Sequence, residues 1–201
     1  MFNLKFEVKQ IHEKIHKIGG FKNCMYLYID LKYFNSLKTY IDFGSVEYYG
    51  LNNGNMKDFF LFLMAIIYVG SGDFTRKVSH CSSAKSYKHG RKNNPQKVHT
   101  NILEKWNKNT EICILEYCTN SSQDVTNLLE SFMIIFLKTY RYNVANVCNG
   151  SLCYHWKQQP KLISTNFGFL LSFKIYQCFI NGSSTPIKIN DVMYTPRRMK
   201  N

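Results

Sequence analysis

Arg76 and His80 stand four residues apart in this chain. On a helix that spacing puts both side chains on one face. A guanidinium fork matches the oxygens of a phosphate, and an imidazole exchanges protons near neutral pH. Just before them runs Tyr68-Val69-Gly70-Ser71-Gly72. It reads as the end of a strand followed by a glycine turn, so Tyr68 could converge with Arg76 and His80 at the end of a sheet. The same pattern also describes a buried tyrosine with two ordinary surface residues. Glu130 is a second oddity, because it lies beside Leu129 in the most apolar helical stretch of the chain. A carboxylate next to a core stripe is costly unless it is paired, hydrogen-bonded or bound to metal. One Glu with waters is a usual arrangement for Mg²⁺; a solvated helix edge is the other reading. Cys148, Cys153 and His155 form a third group, for zinc, with irregular spacing and no clear fourth ligand.

The elements that must position these groups follow from periodicity. Residues 3–18 read as an amphipathic helix stopped by Gly19-Gly20. Cys24–Leu31 reads as a first strand, and 32–57, with its Asn-Asn-Gly, as a loop or irregular insertion. The apolar run Phe59–Val69 gives a second strand over its last part, 65–69, possible after a helical turn. Gly70-Ser71-Gly72 is expected to break that strand, and Asp73 to cap a helix from about Thr75. Residues 85–97 read as an exposed basic loop, 98–106 as a helix and 111–118 as a third strand. Ser121 and Asp124 are spaced as a capping box for a helix carrying Leu128 to Tyr140. Residues 143–154 read as a loop, 164–180 as a last apolar helix and 187–192 as a short tail. The fold class is mixed α/β (α+β): about three mainly antiparallel strands flanked by helices, with an extra N-terminal and an extra C-terminal helix. The expected division is 1–21 for the first helix, 22–160 for the core and 161–201 for the C-terminal helix and basic tail.

Composition bounds the partners. The 201 residues carry 26 Lys+Arg against 13 Asp+Glu, a net charge of +13. Such a field captures polyanions, nucleic acid first and anionic membrane second. Seven cysteines, without a CxxC pair or a signal peptide, fit reduced thiols and an intracellular setting in nucleus or cytoplasm. The longest apolar run is about half the length a membrane span requires. The helix over 3–18 has too narrow an apolar face, and no aromatic anchor, for a membrane-surface role.

The segment Phe62 to Gly72, followed by Arg76 and His80, resembles the second half of the GIY-YIG nuclease signature. It is most similar to the version in the LEM-domain and ankyrin-repeat containing endonucleases of animals. The likeness continues in order through the basic helix Lys97–Trp106, Glu130 on a helix, Asn146 in the next loop and the C-terminal helix. Tyr26 looks like the first-strand tyrosine, with Tyr28, Tyr48 and Tyr49 as rivals. No single motif is highly specific; the ordered set from about residue 22 to 192 is.

The resemblance implies a small GIY-YIG-type sheet and hydrolysis of phosphodiester bonds in DNA with one divalent ion, Mg²⁺ or Mn²⁺. It implies Glu130 as the metal residue and Tyr26, Tyr68, Arg76, His80 and Asn146 as catalytic residues, on a turn built by Gly70 and Gly72. The DNA grip would come from Lys77, Lys85, Lys88, Arg91, Lys92 and Lys97, on branched or distorted DNA with little sequence preference. The family commonly has Lys where this chain has Ser71, and Lys77 or Lys85 would substitute for it. A weak or inactive nucleic-acid-binding module of the same fold is the alternative. There is no LEM domain or ankyrin repeat, so the chain looks like the catalytic part alone, as monomer or homodimer.

Overall fold

The computed structural model describes residues 23–37, 53–88, 96–107, 111–148, 150, 161–182 and 187–188. The expected helix over 3–18, the rivals Tyr48 and Tyr49, the basic residues Arg91 and Lys92, and Cys153 and His155 lie outside the described residues.

Strand β1 (Asn23–Asp30) is the centre of the sheet. It pairs antiparallel with β2 (Ile66–Gly72) on one side and β3 (Ile112–Ser121) on the other. A two-residue strand, β4 (Ile187–Lys188), joins the far edge of β3, where the sequence predicts only a tail. The order β2-β1-β3-β4 leaves β2 at an edge. β1 is buried on both faces, so its NCMYLYID run does not alternate polar and apolar. Alternation instead sorts side chains between two cores. Met25, Leu27 and Ile29 enter the larger one; Cys24, Tyr26 and Tyr28 enter the smaller one.

Among the described residues, six helices cover these faces. Helix α1 (Leu31–Leu37) and the start of α2 (Asn53–Ala65) occupy part of the stretch expected to be a loop. Their Phe34, Met56, Phe59 and Phe62 are buried in the larger core, which is what makes these short segments helical. β2 follows α2 directly and runs through Gly70-Ser71-Gly72 rather than breaking before it. Those three residues stay in the ladder because they pair with Tyr26, Met25 and Cys24 of β1. Helix α3 (Phe74–Lys88) is capped by Asp73, whose carboxylate accepts from the Arg76 N–H at 2.9 Å. It continues to Lys88, so Lys85 and Lys88 belong to a helix end and not to the expected loop.

Helix α4 (Lys97–Asn107) puts Val98 and Ile102 into the smaller core. Helix α5 (Gln123–Thr139) buries Leu129, Phe132, Met133, Phe136 and Leu137. Its N-cap is Ser122, which accepts from the Val125 N–H. That is one residue later than the predicted box, because β3 runs on to Ser121. Helix α6 (Lys161–Ile180) lies on α5 and α2. Gly168 permits the close approach: an added Cβ would collide with Phe136 and the Phe132 carbonyl. Phe59 meets Phe169 and Phe173 edge-on at 5.6 and 5.2 Å between ring centres. Among the described residues no helix is long and apolar enough to cross a membrane. The six described cysteines are free.

Candidate active site

The candidate groups gather around edge strand β2. Tyr26, Tyr28 and Tyr68 share one face of β1 and β2, since Tyr68 is the register partner of Tyr28. Their rings lie 5.7–6.4 Å apart, centre to centre. Helix α3 covers this face and brings His80 against Tyr68, edge-on, at 4.9 Å between ring centres. Ser71, a register partner of Met25, faces the opposite side, where α5 presents Glu130. The two sides communicate electrostatically. Burial most of all, and Glu130 with it, raises the pKa of both Tyr26 and Tyr68, while Arg76 lowers it. Arg76 also acts on Glu130. One edge strand is thus flanked by a carboxylate, a guanidinium, two phenols and an imidazole.

The two β1 tyrosines differ in their surroundings. Tyr28 donates its hydroxyl to the Lys77 carbonyl and also meets Cys81, so it is a tied, buried side chain. Tyr26 is fully buried, yet its hydroxyl has no hydrogen-bond partner among the described residues. An orphaned buried hydroxyl costs on the order of 1–3 kcal/mol unless something else satisfies it. Gly70 gives it room: a Cβ there would sit 2.5 Å from the Tyr26 ring. Burial pushes Tyr68 up to about 12 and Tyr26 higher still, so a nearby cation is needed for either phenol to lose its proton. Gly72 has φ +141°, open to glycine, and an added Cβ would strike the Arg76 side chain at 2.6 Å.

Glu130 is 8% exposed, and burial raises its pKa from the ordinary carboxylate value. The Ser71 hydroxyl lies 2.6 Å from Glu130 Oε2 and 2.6 Å from Asn127 Oδ1. It has one hydrogen for two acceptor oxygens, so the two compete for it. Gln123 donates to Asn127 at 2.6 Å and extends the chain of polar contacts. None of Ser71, Asn127 or Gln123 as a network is readable from sequence; only their convergence across β2 and α5 reveals it. Among the described residues no three His, Cys, Asp or Glu side chains are grouped to hold a metal. One hard carboxylate beside the Ser71 hydroxyl and the Asn127 amide oxygen fits an ion that keeps most of its own waters, as Mg²⁺ and Mn²⁺ do.

Asn146 braces the strand from outside. Its amide accepts from the Val69 N–H at 3.0 Å and donates to the Val69 carbonyl at 2.7 Å. Ala145 N–H donates to the Ile67 carbonyl at 2.7 Å. Together they occupy the edge that β2 would otherwise present. Both hydrogen-bonding ends of the Asn146 amide are thereby engaged, so it positions the strand.

One expected contact falls elsewhere. Lys77 is 5% exposed and ion-paired with Glu116 of β3, so it is a buried partner and not a DNA contact. Burial of its charge demands that pair. Lys97 is exposed but donates to the Val144 carbonyl at 3.3 Å. Lys85 and Lys88 remain on α3. Cys148, from the zinc alternative, is exposed. His99 is the residue that sequence reasoning passed over: it is 6% exposed, and its Nε2 lies 3.3 Å from His80 Nδ1. Its place on the Val98–Ile102 face of α4 was the available signal, a polar ring on an apolar stripe.

No curated protein and no solved structure matches the chain significantly. A family model, that of the LEM-3-like GIY-YIG domain, matches residues 23–193. That span takes in the whole sheet, the tyrosine face, Arg76, His80, Glu130 and Asn146. The chain belongs to the LEM-3-like GIY-YIG domain family of nucleases.

Proposed function

We propose that this chain is a divalent-metal-dependent DNA endonuclease that selects branched or distorted DNA by backbone contacts. The observation that carries the reading is the orphaned Tyr26 hydroxyl in one electrostatic neighbourhood with Tyr68, Arg76 and Glu130. Phosphodiester hydrolysis needs a positioned water, charge opposite the developing phosphorane and compensation at the leaving oxygen. Glu130 would hold one Mg²⁺ or Mn²⁺, and the bound ion would supply Lewis acidity and a more acidic water. Tyr26 offers its unpaired hydroxyl to orient the water or the scissile group. Tyr68 stands beside it to take or relay a proton, with Arg76 lowering the cost of a phenolate. Arg76, exposed at the first turn of α3, is free to meet phosphate oxygens with its planar fork. His80 faces Tyr68 and contributes a hydrogen bond to the phosphate or a proton to the leaving group. Asn146 keeps Val69 and hence Tyr68 in place.

Ser71 is the departure from the family pattern. Its hydroxyl serves Glu130 and Asn127 here, and Lys77, the nearest candidate to replace the missing lysine, is occupied by Glu116. That favours a slower enzyme than one carrying the lysine. Incubation with supercoiled plasmid, linear duplex and a four-way junction, each with Mg²⁺ or Mn²⁺ and with chelator, tests the proposal. Metal-dependent nicking, strongest on the junction and lost in Glu130→Ala and Arg76→Ala, is expected. Junction binding without nicking in either metal would establish the inactive binding module instead. Full activity in either variant would remove the site.

A further inference from the structure

We infer that His99 fixes the tautomer of His80, so that His80 meets its substrate as a hydrogen-bond donor through Nε2 and not as a base. The inference rests on His80 being a substrate-facing group, as proposed above, but its central statement concerns a proton position and can be read without any reaction.

The Gln96 N–H donates to His99 Nδ1 at 3.2 Å. A backbone N–H can only donate, so His99 Nδ1 must carry a lone pair. Neutral His99 therefore has its hydrogen on Nε2. That nitrogen lies 3.3 Å from His80 Nδ1. Two N–H groups cannot face each other, so His80 Nδ1 is the acceptor and the hydrogen of neutral His80 is on Nε2. His80 is neutral at ordinary pH: burial first, then His99 and Arg76, lower its pKa to about 4.

His99 is well placed to hold this arrangement. It is 6% exposed, packed near Tyr87 at 5.3 Å between ring centres, and anchored at the first turn of α4, where Gln96 precedes the helix. His80 is held in turn between Tyr68 and Tyr28, edge-on at 4.9 and 6.2 Å between ring centres. An imidazole that accepts at Nδ1 and carries hydrogen at Nε2 has no lone pair left to take a proton from water. It can hydrogen-bond an anionic oxygen, which suits a phosphate or a departing oxygen. This leaves water activation to the tyrosine side of the site.

Long-range proton–nitrogen correlation spectra of the full chain, labelled with ¹⁵N at histidine, read the tautomer directly at pH 7.5. Wild type is expected to show His80 protonated at Nε2 and bare at Nδ1, with His99 the same. His99→Phe removes the donor, and His80 is expected to become a mixture of tautomers. Nicking by that variant falls roughly 10-fold or more in kcat, with KM for the junction unchanged. His99→Gln, whose amide can donate to the same nitrogen, is expected to restore a large part of both signals. Wild-type His80 protonated at Nδ1 would overturn the inference even where His99→Phe fails to fold. So would an unchanged His80 tautomer, or an unchanged kcat, in folded His99→Phe. A wild type that does not nick but shows the expected tautomer sinks the nuclease proposal and leaves the His99 assignment standing.

Discussion

Glu130 and His80 carry opposite pH signatures, and both follow from burial. Glu130 has its pKa raised in the fold, so its ionisation is penalised there and the penalty grows as pH rises from the ordinary carboxylate value through that raised one. At pH 7.5 without metal, Glu130→Gln is therefore expected to melt higher than wild type. Wild type should gain about 1.4 kcal/mol from Mn²⁺ at ten times its dissociation constant, and the variant nothing. Differential scanning calorimetry with and without chelator reads both; a variant that still responds to Mn²⁺ would move the metal away from Glu130. His80 behaves in the reverse sense. Its value drops from the ordinary 6.5 to about 4. The unfolded chain then binds the proton first, so stability present above pH 6.5 is lost as pH falls toward 4. The contribution is at most about 3 kcal/mol, less for the part of the ring solvent reaches. Urea unfolding at pH 7 and pH 4.5 should show a smaller loss in His80→Gln than in wild type.

At the scale of elements, the junction between β3 and α5 is sensitive to a single residue. Ser122 caps α5 through its side chain, whereas Ser121 ends the strand with a buried hydroxyl that has no partner among the described residues. Ser122→Ala should cost about 1 kcal/mol. Ser121→Ala should be neutral or stabilising, because it deletes an unsatisfied group. Equal losses in urea titrations of the two would put the cap where the sequence spacing first suggested it. The case shows what was legible and what was not. Strands with aromatic and β-branched runs, Cys24–Leu31 and 111–118, and helices with a clean apolar period, such as Leu128 to Tyr140, were readable because burial imposes the pattern. The Ser121–Ser122 register was not, because either serine can cap and only the strand's length decides. Nor was the strand through Gly70-Ser71-Gly72: three residues that read as a turn are held extended by pairing with Met25 and its neighbours, a partner 46 residues away from Ser71 in sequence. The same tertiary logic turned part of the expected loop into α1 and α2.

For the whole molecule, the central fact is a basic chain whose cations are not equally available. The charge of +13 is a property of the composition, but Lys77 spends its charge on Glu116 inside the fold, and Lys105 is paired with Asp30 at 2.6 Å. Sequence spacing could place Tyr68, Arg76 and His80 on neighbouring elements, since the strand–turn–helix path is local. It could not separate buried Lys77 from exposed Arg76 beside it on the same helix, where a pairing with β3 decides. The remaining grip proposed for DNA is the set Lys85, Lys88, Arg91, Lys92 and Lys97, a cluster in sequence around the end of α3 and the start of α4. If these five residues each neutralise one phosphate, raising salt from 50 to 200 mM should weaken junction binding by about 10²–10³-fold, as released counterions are taken back up. Fluorescence anisotropy across a salt series gives the slope. Lys88→Gln should reduce it by about one phosphate's worth, on duplex and junction alike, because such contacts track the backbone. Lys77→Gln should leave the slope alone and lower the melting temperature, since it removes the ion pair that half-buried Glu116 makes with Lys77. A reversal of those two responses would mean that the lysine buried against β3 leaves its partner for DNA.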